Sequence, residues 1–144
     1  MAEGEWSLNI RDLARRYEMK VNDVQKQLVF NIYSEVCRRT PVDSGRARGN
    51  WNISINELDD SVDENATSQK FTSIQQIPEP KRGDTIYIYN NLPYITKLEY
   101  GGYSEKPETE KTVKGFSKQA PHGMVGVTLA NISRHFEEAL RSGR

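Results

Sequence analysis

Apolar residues recur every three or four positions between Leu8 and Arg39. They are Ile10, Leu13, Tyr17, Val21, Val24, Leu28, Ile32 and Val36, the spacing of one helical face. Arg11, Arg15, Lys20, Gln25, Lys26 and Glu35 fill the other side, and neither Gly nor Pro interrupts the run. The pattern predicts a long helix, with a break possible near Lys20–Asn22, where Asn22 could cap a second helix. Pro41 stops it. Two later segments, Trp51–Asn56 and Thr85–Asn90, alternate apolar and polar residues, the period of a half-buried strand. Within the second, Ile86 and Ile88 share one face and Tyr87 and Tyr89 the other. If the isoleucines face the core, the tyrosines face outward or lie under a partner. Pro93–Tyr100 reads as a short helix with Tyr94, Ile95 and Leu98 inward, ended by Gly101-Gly102. Pro121–Leu140 reads as the last helix, its stripe being Val125, Leu129, Ile132, Phe136 and Leu140.

The remaining stretches, about 57–84 and 103–119, are long and polar. The first opens with five acids and no base between Glu57 and Glu64, a solvated run. Phe71, Ile74 and Ile77 could give it a short contact, and Pro78, Pro80, Gly83 and Asp84 mark a turn. The second carries Lys106, Lys111, Lys114 and Lys118 among Glu105, Glu108 and Glu110 without a consistent period. Together the elements predict an α+β fold over residues 1–144 as a single domain. A long N-terminal helix and a C-terminal helix pack on one face of a small, mostly antiparallel sheet.

Composition narrows the function classes. Twenty basic residues balance twenty acidic ones, so no overall field draws the chain to nucleic acid or anionic lipid. No apolar run approaches the ~20 residues of a spanning helix, and the acidic start, Met-Ala-Glu-Gly-Glu-Trp, lacks a signal peptide's apolar stretch. These readings predict no membrane association. Cys37 is the only cysteine; it predicts a chain matured in a reducing cytosol, and its place beside the helical stripe reads as packing. His122 and His135 with Cys37 do not make a zinc site. Asp59, Asp60, Asp63 and Glu64 lack the spacing of a calcium loop, and Gly101-Gly102 lacks the context of a phosphate loop. No nucleophile–base pair is visible, so no enzymatic activity, cofactor or metal requirement is expected.

The corner between the first helix and the first strand is the densest signal. In Thr40-Pro41-Val42-Asp43-Ser44-Gly45-Arg46-Ala47-Arg48-Gly49-Asn50-Trp51, proline ends one helix and Asp43 or Ser44 can cap a short turn. The glycines permit a tight bend, and Arg46 and Arg48 are held on a constrained surface. They read either as solvated charges or as an interface. His122, between Pro121 and Gly123, reads as structural or interfacial. The cluster Tyr87, Tyr89, Tyr94, Tyr100 and Tyr103 has the residue type that interfaces favour.

Three segments in order carry a resemblance: the corner at 40–51, Ile-Tyr-Asn-Asn-Leu-Pro-Tyr-Ile-Thr-Lys-Leu-Glu-Tyr-Gly-Gly at 88–102, and Gln-Ala-Pro-His-Gly-Met-Val at 119–125. Together they resemble the tail-completion, or neck, proteins of long-tailed bacteriophages over roughly residues 8–140. The resemblance implies a non-catalytic virion protein, assembled in the host cytoplasm, that forms a ring at the head-proximal end of the tail and joins tail to head. It implies as partners other copies of the chain, by analogy a hexamer, the tail tube or tail terminator protein, and the head-closure or connector protein. A passing contact with DNA in the lumen is also implied. Tail terminator and head-closure roles are the close competitors. A closed ring needs two different sticky faces, and Arg46, Arg48, Tyr94, Glu99, Tyr100, Tyr103 and His122 are the expected interface, with Glu99 as a candidate acid for the arginines. The two polar loops are expected to be mobile in the free subunit and ordered in the assembly. From another class, a small nucleic-acid-binding module would use Arg46, Arg48 and the four lysines; charge balance opposes it.

Overall fold

The computed structural model describes residues 21–42, 44–101, 112–113, 116–117 and 119–142. Its elements run α1 (Val21–Arg39), α2 (Arg46–Gly49), β1 (Trp51–Ile55), a 3₁₀ turn (Ile74–Gln76) and β2 (Ile86–Asn90). They continue with α3 (Ile95–Tyr100), β3 (Thr112–Val113), β4 (Phe116–Ser117), α4 (Val125–Ala130) and α5 (Ile132–Ser142). The fold is α+β, as the patterns predict. The first helix, expected from Leu8, is described from Val21; of the possible break at Lys20–Asn22, Val21 and Asn22 lie within the described helix and Lys20 lies outside the described residues.

Helix α1 buries Val24, Leu28, Val29, Ile32, Tyr33, Val36 and Cys37. It packs mainly along α5 and also meets α4 and β1. Phe136, Ala139 and Leu140 come from α5 to the same core, joined by Trp51 and Ile53 of β1, Leu92, Leu98 and Met124. Burial of each large side chain stabilises by about 1.5–3 kcal/mol. Cys37 is fully buried, and that burial pushes its thiol up to about 11.

Strands β1 and β2 pair antiparallel, with Ile53 opposite Ile88, Ile55 opposite Ile86 and Asn52 opposite Tyr89. One face thus carries the isoleucines, of which Ile53, Ile86 and Ile88 pack in or against the core; the other carries Asn52, Ser54, Tyr87 and Tyr89, with the Asn52 amide donating to the Tyr89 hydroxyl at 3.2 Å. A second, two-residue pairing joins β3 and β4. Part of the stretch expected as the 103–119 loop is therefore a short hairpin; the rest of that loop, Tyr103 included, lies outside the described residues apart from Gln119.

The 57–84 segment departs from the expected loose loop. At its base Asn56 takes the left-handed conformation (φ 64°), which asparagine tolerates better than most residues. Its backbone N–H and side-chain oxygen bond Thr85 at 2.8 and 2.9 Å, and its amide reaches Asp84 at 2.9 Å. The Lys81 N–H and the Asn56 amide hold Asp84 below the ordinary carboxylate range. Further along, Asn50 brackets Asp63 on both backbone groups, at 2.8 and 2.9 Å. The buried Tyr33 hydroxyl accepts the N–H groups of Lys70 (3.1 Å) and Phe71 (3.3 Å), and the Phe71 ring meets the Tyr33 ring edge-on at 5.5 Å. Ile77 is buried. The segment is a strap tied across the corner, because buried donors and acceptors in α1 and the corner find their partners in its backbone.

The last helix also differs from expectation. It begins at Val125, not Pro121, and breaks at Asn131. The buried Thr128 hydroxyl bonds back to the Met124 carbonyl at 2.7 Å, a contact that bends helices. The Asn131 amide turns away to Glu35 at 3.0 Å. Glu35 itself, placed by periodicity on the polar side of the first helix, is 1% exposed.

Candidate functional site

The corner begins where α1 ends. Thr40 is buried; its hydroxyl donates to the Val36 carbonyl (2.7 Å) and accepts the Trp51 indole N–H (2.8 Å). Arg48 turns back to this helix end, giving Nε to the Thr40 carbonyl (3.1 Å) and Nη2 to the Arg38 carbonyl (3.0 Å). A cation on the last carbonyls of a helix satisfies orphan acceptors and complements the dipole. Arg48 is therefore a C-terminal cap, not a guanidinium presented outward.

Arg46 starts the four-residue α2 behind Gly45, whose φ of 86° favours glycine. Of the two expected caps, Ser44 is formed: its Oγ accepts the Arg46 N–H at 3.3 Å; Asp43 lies outside the described residues. The Arg46 guanidinium stands 5.6 Å over the Tyr94 ring, within cation–π range. Its Nη1 pairs with Glu64 of the strap at 3.0 Å. Its Nε is buried and meets no hydrogen-bond acceptor among the described residues.

Among the described residues the Glu99 carboxylate meets no arginine. Oε1 accepts the N–H groups of Met124 (2.9 Å) and Val125 (2.7 Å), and Oε2 that of Gly126 (3.0 Å). One carboxylate thus satisfies three of the orphan donors that open α4, a charge-favoured arrangement. Gly123 (φ 82°) allows the approach, since a Cβ there would sit 2.5 Å from the Glu99 carbonyl oxygen. Replacing Glu99 by alanine is expected to cost about 1–2 kcal/mol. Hydrogen exchange at Met124–Gly126 should accelerate well beyond that in α1; equal protection in both proteins would show that the cap is dispensable.

The three sequence segments of the resemblance therefore meet. The Asn90 amide bonds the Ala47 carbonyl at 2.9 Å, and its oxygen accepts the Leu92 N–H at 3.0 Å. Gln119 pairs with Val42 on both backbone groups, at 2.7 and 3.2 Å. The first segment is tied to the second by Asn90 and Tyr94, the second to the third by Glu99, and the third to the first by Gln119. Val42, Tyr100 and His122 are exposed at this junction, with Tyr100 at 67%. Glu64, Asn90 and Gln119 were missed as contributors. Only Asn90, in an Asn-Asn-Leu-Pro turn, carried a local signal; Glu64 was one of five acids in a run.

A second polar centre lies inside the helical layer. Glu35 accepts from Arg39 Nε (2.5 Å), Asn131 Nδ2 (3.0 Å) and Arg134 Nη2 (2.9 Å), and its Oε1 is 2.6 Å from His135 Nε2. Burial alone would raise the Glu35 carboxyl, but the bonds from Arg39, Asn131 and His135 and the Arg39 charge outweigh it and hold it at about 2. His135 is buried, and its Nδ1 finds no partner among the described residues. The centre joins α1 to the α4–α5 break. Among the described residues no three His, Cys, Asp or Glu side chains group to hold a metal ion, and no helix is long and apolar enough to cross a membrane.

No family model, curated protein or solved structure matches the chain.

Proposed function

We propose that the chain is a non-catalytic structural subunit of a bacteriophage neck. It forms a ring at the head-proximal end of the tail and joins the tail, through the tail tube or terminator protein, to the head-closure protein. The observation that carries this reading is the convergence of the segments at 40–51, 88–102 and 119–125 on one junction. Their polar side chains are spent on fixing backbone to backbone: Arg48 on the end of α1, Glu99 on the start of α4, Gln119 on Val42. Such a frame holds a surface in shape, and Arg46, Tyr94, Tyr100 and His122 are the side chains it offers. Little ordering entropy is lost when a pre-fixed surface binds.

Two measurements test it. Particles made without this protein should be unjoined filled heads and finished tails, whereas overlong tails would assign it as a terminator. Arg46→Glu should keep its far-UV circular dichroism and lose about 1 kcal/mol of stability, the loss of one partly exposed pair and one ring contact. It should nevertheless fail to form rings in native mass spectrometry. Wild-type-like rings and infectious titre from Arg46→Glu would place the interface elsewhere.

A further inference from the structure

Arg46 is the junction arginine whose guanidinium is not committed to a helix end. Arg48 is consumed by two helix-end carbonyls. Arg46 has its guanidinium face set by the Tyr94 ring and its Nη1 on Glu64, and no described acceptor meets its buried Nε. A guanidinium carries five donors in a planar fork that matches a carboxylate end-on. Here the fork is oriented but only partly filled.

The filling acid is weakly held. Glu64 is 66% exposed against 33% for Arg46, and no other bond to its side chain is found among the described residues. The strap on either side is fixed independently of Glu64. Asn50 holds Asp63, and the Ala66 methyl and the carbonyls of Thr67 and Ser68 lie so close to Gly45 and Gly49 that neither position has room for a Cβ. The Glu64 side chain can therefore swing away without the strap moving.

We propose that Glu64 is an intramolecular placeholder: it occupies the Arg46–Tyr94 platform in the free subunit and gives way to a carboxylate from a neighbouring copy of this chain when the ring closes. The inference rests on the ring reading above. Charge complementarity names the occupant. The chain itself supplies exposed acids without a basic partner among the described residues, Glu57 and Asp60 of the strap among them, while its net charge of zero lets copies approach without mutual repulsion. Because an exposed pair of this kind is worth at most about a factor of five in an equilibrium, the placeholder delays assembly without preventing it.

The test is the concentration at which rings form, followed by sedimentation velocity and native mass spectrometry for wild type, Glu64→Gln and Glu64→Ala, with circular dichroism to verify folding. Both variants should assemble at a threshold about two- to five-fold lower than wild type. Rings that form in the wild type with an unchanged threshold in both variants would overturn the placeholder and leave the ring reading standing. A raised threshold in both would do the same, by making Glu64 a contributor to the interface. A wild type that stays monomeric at every concentration would overturn both.

Discussion

Glu35→Ala is expected to lose about 3–5 kcal/mol of stability, the largest effect of any single substitution considered for this chain. The loss comes from what the carboxylate leaves behind. Asn131 and His135 would each keep a donor aimed at an empty, buried site, and removing one side of a buried charged network costs far more than the network's net value. The same residue makes an acid-side prediction with a definite sign. Its folded carboxyl sits at about 2 against an ordinary 4.5, so the unfolded chain takes up the proton first. Stability from this group is full above about pH 4.5 and is lost as the pH falls toward 2. The shift corresponds to about 3 kcal/mol. Urea unfolding from pH 7 to pH 2 should show wild type and Glu35→Gln converging as the pH falls. Parallel curves for the two proteins would mean that Glu35 is not held ionised by its partners.

Gly45→Ala should cost about 3 kcal/mol, and a second glycine separates the reasons. Gly45 and Gly83 have nearly the same φ, 86° and 88°. A Cβ on Gly83 meets open space, while one on Gly45 lands on the Thr67 carbonyl. Gly83→Ala therefore reports left-handed backbone strain alone, about 1–2 kcal/mol. Gly45→Ala adds displacement of the strap, about 1–3 kcal/mol more by analogy with overpacked cores. The same variant should loosen the Asp63 and Lys70 amides in hydrogen exchange. Equal destabilisation by the two substitutions would show that the strap yields freely.

The strands were legible because their two-residue alternation over Trp51–Asn56 and Thr85–Asn90 is a local consequence of half-burial. Tyr87 and Tyr89 fell on the face that alternation assigns them. The strap was not legible, because what orders it is hydrogen bonding from Tyr33 and Asn50 to its backbone, which leaves no periodic trace in residues 57–84. Glu35 was misplaced for a related reason. It stands three positions after Ile32, on the buried side of α1, and composition gives no hint that an acid there meets His135. The junction was partly legible: the corner's proline and glycines announced a fixed bend, and Arg46 was singled out. The capping role of Glu99 was not legible because its partners within the chain are backbone N–H groups, which every residue carries. The break at Asn131 was hidden by a stripe that continues in phase across it.

The Glu35 centre also dictates when the fold can be completed during synthesis. Its partners from the last helix, Asn131, Arg134 and His135, follow it by 96, 99 and 100 residues. A ribosome extending the chain at about 5–20 residues per second therefore exposes α1 for several seconds before any of them exists. During that interval Glu35 has only Arg39, one turn on in the same helix, as a partner, so burying α1 against the wrong surface would leave its carboxylate short of hydrogen bonds, which is costly. The residue that secures the finished packing thus also discourages α1 from collapsing early, and the helical layer closes only when the end of the chain has arrived.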